Sequence, residues 1–175
     1  MNQQFVLTVV TKDKPGIVQA VSEVVASHGG NWTDSSMVRL GGEFAGIVLV
    51  SLPGEHLDAM QSELAALASQ GIAVTIQQAA SEQAMQGLTA QLTLSGMDHP
   101  GIVRDISTAL AESGVSIDEI QTELFAGSMT GQQMFSASAK IVIPRETNTD
   151  SVRQRLETLA QDIMVDIDIA ERDDR

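Results

Sequence analysis

The string Asp13-Lys14-Pro15-Gly16-Ile17-Val18 returns 85 residues later as Asp98-His99-Pro100-Gly101-Ile102-Val103. With that offset held from Val6 to Asp34, ten of 29 positions are identical, the motif being joined by Leu7/Leu92, Thr8/Thr93, Ser22/Ser107, Ala26/Ala111 and Gly29/Gly114. Average residue usage gives about two by chance. Phe44/Phe135 and Pro53/Pro144 then match at an offset of 91, so the second copy carries six additional residues, which fall near Gly127-Ser128-Met129-Thr130-Gly131. A glycine-bounded polar insert of this kind reads as a longer hairpin loop. A chain of 175 residues built this way holds two like modules.

Each copy parses into the same elements. Phe5, Leu7 and Val9 alternate with Val6, Thr8 and Val10, the period of a strand. Pro15 suits the first turn of a helix, where its missing N–H costs nothing. Ile17, Val21, Val24, Val25 and His28 follow at helical spacing until Gly29-Gly30. Strands over about 31–40 and 44–52 flank the tight turn Gly41-Gly42, Leu57, Met60, Leu64 and Leu67 form a second helical stripe, and Ile72, Val74 and Ile76 alternate as a last strand. The second copy repeats this through Leu92 and Leu94; Ile102, Ile106 and Leu110; strands near 116–125 and 134–143; Val152, Leu156 and Leu159; and Ile163, Val165, Ile167 and Ile169. The order β-α-β-β-α-β is the split βαβ or ferredoxin-like motif, so the predicted class is α+β, with antiparallel sheets carrying helices on one face. The predicted boundaries are 4–79 for the first module, 80–87 for a linker, 88–170 for the second module and 171–175 for an acidic tail. Strand parity agrees between copies, a strong check because a one-residue slip turns every side chain to the other face. Modules of about 80 residues bury modest cores, so packing of the two together, or of two chains as a homodimer, is expected.

Composition narrows the functions. The chain has no cysteine, which removes disulfides, zinc–thiolate sites and thiol nucleophiles. Ten Lys and Arg face 23 Asp and Glu, a net charge of −13, and only Arg153 and Arg155 are grouped. DNA binding needs a positive surface that displaces counterions from phosphate, so any role in transcription runs through another protein, and anionic membranes repel the chain too. The N-terminal Met1-Asn2-Gln3-Gln4 lacks a signal peptide's positive start and no apolar run approaches a bilayer span, so a cytoplasmic location is expected. With aromatics at 3%, stacking platforms for single strands are not expected either.

A β-α-β-β-α-β module with Asp-x-Pro-Gly-Ile-Val at its first strand-to-helix turn, followed after the helix by Gly30-Asn31 or Val115-Ser116, resembles the ACT domain, a small-molecule sensing module of amino-acid metabolism. Two copies in an acidic chain of this length resemble the glycine cleavage system transcriptional repressor family. The resemblance runs from about Phe5 to Ala170.

The chemistry of the turn is consistent with amino-acid binding. Gly16 and Gly101 let a ligand approach the backbone, and the unpaired helix N–H groups near Ile17 and Ile102 suit a carboxylate. Asp13 and Asp98 can accept hydrogen bonds from an ammonium group. An aspartate before proline at a helix start can equally be an N-cap and nothing more. The resemblance further implies a polar residue at the start of the second strand of a neighbouring copy, here Asn31 and Ser116. The copies diverge, Thr11-Lys12 becoming Gly96-Met97, Lys14 becoming His99, and Asn31-Trp32 becoming Ser116-Ile117, so the two sites differ in affinity or only one is competent.

Other residues carry less. His28 reads as a core or cap histidine, His56 as solvated, and His99 as a loop residue able to touch a bound molecule. Three isolated histidines have no metal spacing, and Asp166, Asp168, Glu171, Asp173 and Asp174 read as a solvated face. The eight methionines read as core filler. No catalytic residue, metal or cofactor is expected. The resemblance implies an amino-acid-responsive repressor of the glycine cleavage operon, with glycine a candidate effector, acting through a DNA-binding protein partner. The alternatives are a stand-alone sensor regulating a metabolic enzyme in trans, and an acylphosphatase-like enzyme. The latter needs a first-loop arginine, and the first arginine after the second motif is Arg104.

Overall fold

Alternating burial of Phe5, Leu7 and Val9 sets the first strand, β1 (Asn2–Lys12), with one face against helices and one uncovered. The computed structural model describes residues 2–80, 86–127 and 131–171. The chain divides into two compact units, Met1–Glu82 and Gln83–Arg175. Residues 81–85 of the expected linker, 128–130 of the expected hairpin insert and 172–175 of the expected tail lie outside the described residues.

The first unit continues with α1 (Ile17–Ser27), β2 (Asn31–Leu40), β3 (Glu43–Pro53), a 3-10 turn (Gly54–His56), α2 (Leu57–Ala66), a second 3-10 turn (Leu67–Gln70) and β4 (Ile72–Gln78). The second holds β5 (Gly87–Met97), α3 (Ile102–Glu112), β6 (Ser116–Ala126), β7 (Gln133–Pro144), α4 (Thr149–Asp162) and β8 (Val165–Glu171). The sheet orders are β2-β3-β1-β4 and β6-β7-β5-β8, with each hydrogen-bonded pair antiparallel. Both are ferredoxin-like: the first two strands of each module are separated in the sheet by the third.

The parity argument holds. Leu7 pairs with Val48 and Ile76, and Leu92 with Ala139 and Ile169, on the covered face of each sheet. One core gathers Phe5, Leu7, Val9, Val21, Val25, Val48, Val50, Met60, Leu64 and Ile72. The other gathers Leu92, Leu94, Ile102, Ile106, Leu110, Ile141, Val152, Leu156 and Ile169. Each such side chain stabilises its module by about 1.5–3 kcal/mol through burial. The repeat extends to an irregularity: β2 slips register between Trp32 and Asp34, and β6 between Ile117 and Glu119, the same place in each copy. Thr33, the extra residue in β2, donates its hydroxyl to the Leu49 carbonyl at 2.9 Å.

Three expectations are corrected. The helices begin at Ile17 and Ile102, so Pro15 lies two residues before its helix rather than in the first turn. Gly16 and Gly101 intervene at φ of 92° and 105°, and their left-handed backbone turns the chain into the helix. Ile163 caps α4 rather than opening β8. Met60 is fully buried, but Met97 and Met164 are 48% and 76% exposed, so methionine is not uniformly core here. The uncovered faces differ as well: Val10, Val38, Leu40 and Ile47 stand exposed on the first, whereas Thr93, Ser95, Ser136 and Ser138 occupy the second.

Candidate functional site

Both motifs form the loop joining the first strand to the first helix, pinned to the neighbouring hairpin by backbone. Asp13 N–H donates to the Gly42 carbonyl, and Asp98 N–H to that of Gln133, each at 3.0 Å. The first helical bonds run from Ala20 N–H to Gly16 and from Asp105 N–H to Gly101, both 2.9 Å. No side chain caps either helix. The first-turn N–H groups of Ile17 and Ile102 therefore sit at the positive end of a helix dipole with no side-chain cap.

The capping role open to the aspartates on sequence is not what they do. The Asp13 carboxylate accepts from Arg39 Nη1 at 3.2 Å, a pair in which the arginine is 71% exposed. The corresponding position of the second module is Leu124, and Asp98 has no side-chain partner among the described residues. The second loop carries its own pair instead. Arg104 Nε donates to Asp105 Oδ1 at 2.8 Å, and a Cβ at Gly101 would lie 2.9 Å from the Arg104 guanidinium. The hydrogen bond with Arg104 holds the Asp105 carboxyl below its ordinary range, and the same bond raises Arg104. The first module has Gln19 and Ala20 at these positions; the sequence marked Arg104 only as a possible phosphate-holding arginine and did not single out Arg39, because neither arginine is part of the repeat.

Asn31 and Ser116 are not brought to the aspartates of their own module. Asn31 pairs with Ser51, and Lys12 beside the loop pairs with Glu43, eight residues along β3 and so about 25 Å away. Ser116, paired with Val142, is likewise at the far end from Met97, paired with Met134. Gly16, Ile17 and Asp13 form one group, and Gly101, Ile102 and Asp98 the other.

Lys14 and His99 turn toward the second helix of their modules. Lys14 Nζ donates to the Gln70 carbonyl, and the His99 ring reaches the Ile163 carbonyl through Nε2 at 3.0 Å and that of Pro100 through Nδ1 at 3.3 Å. His99 is thus held by backbone rather than presented to a ligand. His56 is exposed, as expected, and donates from Nδ1 to the His28 carbonyl at 2.7 Å, while His28 closes α1 and pairs through Nε2 with Glu63 at 2.8 Å. Asp166 and Asp168 are exposed, and among the described residues no group of acids and histidines is arranged to hold a metal. A groove of about 580 Å³ between α3 and α4 is lined by Arg104, Asp105, Glu112, Arg155 and Asp162 and meets the loop only through Arg104 and Asp105.

The sequence model of the ACT domain matches residues 3–80 and again 89–170. The chain belongs to the ACT domain family. Its two ACT modules superpose on a protein of unknown function from Galdieria sulphuraria with a TM-score of 0.84 and 29% identity, covering 99% of this chain and 100% of that one. A protein provisionally named a glycine cleavage system transcriptional repressor matches at a TM-score of 0.74 and 17% identity over 99% of each chain, a likeness of fold. Among curated sequences, the UPF0237 proteins of Methanosarcina mazei and Methanosarcina acetivorans are 35% identical over 57 residues, 33% of this chain and 62% of theirs, so the match spans under two thirds of those relatives. No helix among the described residues is long and apolar enough to cross a membrane.

Proposed function

We propose that this tandem ACT protein is an amino-acid-responsive regulator that represses the glycine cleavage operon through a DNA-binding protein partner. The observation that carries the ligand reading is the duplicated loop. In each module a left-handed glycine opens a helix with no side-chain cap, and a carboxylate three residues earlier does not cap it. A free amino acid carries the complementary pair of charges, its carboxylate for the helix N–H groups and its ammonium for Asp13 or Asp98. Because Asn31 and Ser116 lie at the far ends of their sheets, they belong to such a site only as residues of a neighbouring module or subunit. The repressor reading is supported by the fold likeness to the provisionally named repressor and by a net charge of −13, which favours action through a protein rather than on DNA.

Titration calorimetry against glycine and a panel of free amino acids tests the ligand. Saturable binding of at least one amino acid is expected, and no heat from any of them would overturn the reading. Co-purification with activators of the glycine cleavage genes, with and without glycine, tests the partner. An effect of glycine on the complex is expected, and absence of any complex would leave the protein a sensor of another kind.

A further inference from the structure

The outer faces of the two sheets, the sides that no helix of the module covers, have diverged. On the first, Val10, Val38, Ile47 and Leu40 are between 48% and 77% exposed, and Val6 and Leu49 are half-buried beside them. Strand register puts all of them on one side: Val6 pairs with Leu49, Val10 and Val38 both pair with Ala45, and Leu40 pairs with Glu43. At the equivalent places the second sheet has Ser95, Glu123, Ser138 and Lys140 instead of Val10, Val38, Ile47 and Leu49. The second module folds without an apolar outer face, so the fold does not require one. An apolar face of this extent marks a contact surface.

Charge, symmetry and size all select a second copy of this chain as the occupant. Two chains of net charge −13 repel each other over most of their surfaces. The outward residues of this sheet include only Asp34, Glu43 and Lys12 as charged groups, a net of −1, so this is where two copies can approach. Lys12 and Glu43 pair at 3.7 Å across β1 and β3, at one end of the face. A two-fold axis running along the strands, midway between β1 and β3, lays β1 of each copy over β3 of the other. It sets Lys12 against Glu43 of the second copy, and likewise Glu43 against Lys12, so the charges of the face complement themselves. It also sets Val10 against Ala45 and Thr8 against Ile47, a smaller side chain facing a larger one in each case. The four strands hold 11, 10, 11 and 7 residues. At 3.4 Å per residue and 4.8 Å between strands the face is about 600 Å² in projection. Its corrugation adds accessible area, which brings it to the scale of the roughly 800 Å² per partner that a stable interface buries. We infer that the outer face of the first sheet is the interface of a homodimer, two sheets packed face to face with β1 of each copy over β3 of the other.

Sedimentation velocity on the intact chain tests this, with circular dichroism to show that each variant folds. At tens of micromolar the wild type should sediment as a species of twice the chain mass that dissociates on dilution. Ile47→Glu and Val38→Glu each bring a carboxylate from both copies into the contact and should weaken the dimer about 100-fold or more. Ile47→Ser installs the residue of the second module, which that sheet already accommodates, and should weaken it about tenfold. Val18→Glu, at a similarly exposed apolar position on α1, should leave the dimer unchanged. Lys12→Glu sets like charges against each other and should cost about fivefold, and Lys12→Glu combined with Glu43→Lys should recover the wild-type value. A wild-type chain that stays monomeric overturns the interface. So do folded Ile47→Glu, Val38→Glu and Ile47→Ser proteins that dimerise as the wild type does, and so does a dimer lost in Val18→Glu. A double variant no tighter than Lys12→Glu alone overturns the placing of β1 over β3.

Discussion

At the residue scale the two aspartates are chemically identical and electrostatically different. Asp13 already has a cation in Arg39, and a ligand ammonium must compete with it. The pair is solvent-exposed on the arginine side, so its worth is at most about 1 kcal/mol, or roughly fivefold in affinity. Arg39→Leu, which installs the residue of the second copy, should strengthen amino-acid binding at the first module by up to that factor in a calorimetric titration. Asp98→Ala should weaken binding at the second module about tenfold, the loss of a charged hydrogen bond. Because Asp98 caps nothing, its thermal stability should fall by less than about 0.5 kcal/mol. Sequence alone left capping and ligand contact equally open. The backbone of Gly16 and Gly101 removes only the first: its left-handed conformation makes the glycine the N-cap and leaves the aspartate outside the helix. A motif of residue types carries no such dihedral.

At the scale of elements, nearly all of the fold was legible because periodicity and parity are properties of the chain. Leu7 and Leu92 point to their cores as alternation requires, and the insert of the second copy falls in the β6–β7 hairpin, where Gly127 N–H meets the Gln132 carbonyl at 2.8 Å. What escaped was contact between distant segments: His99 with Ile163, Lys14 with Gln70, and the start of α4. Asn148 caps that helix, accepting from the N–H groups of Asp150 at 2.8 Å and Ser151 at 3.2 Å. Asn148→Ala should therefore destabilise the second module by about 1 kcal/mol in denaturant unfolding. Gly16→Ala should destabilise the first by about 1–2 kcal/mol although its Cβ would meet nothing within 4 Å, because the cost lies in the φ of 92° rather than in a clash. If that variant unfolded at the wild-type midpoint, the glycine would be needed only for ligand access.

At the scale of the whole molecule the decisive quantity is charge. The net −13 is not offset by any basic stripe. Of the ten basic residues, Lys12, Arg39, Arg104 and Arg155 are each matched to a carboxylate, of Glu43, Asp13, Asp105 and Glu112 respectively. Lys14 and Arg153 are turned onto backbone carbonyls of Gln70 and Ile169. Individually such surface pairs are weak, but together they occupy six of the eight basic residues among those described, and the sequence groups only Arg153 and Arg155. Phosphate contacts supply most of the affinity of DNA-binding proteins, and a strongly negative body adds repulsion that grows as salt is lowered. The isolated protein should therefore give no shifted band with glycine cleavage promoter DNA at physiological salt, and lowering the salt should not create one. A sequence-specific complex at submicromolar protein without any partner would contradict this, and with it the reading that regulation passes through a second protein. Adding the DNA-binding activator should yield a larger complex that depends on both proteins, and its response to glycine reports whether the ligand loops act on that assembly.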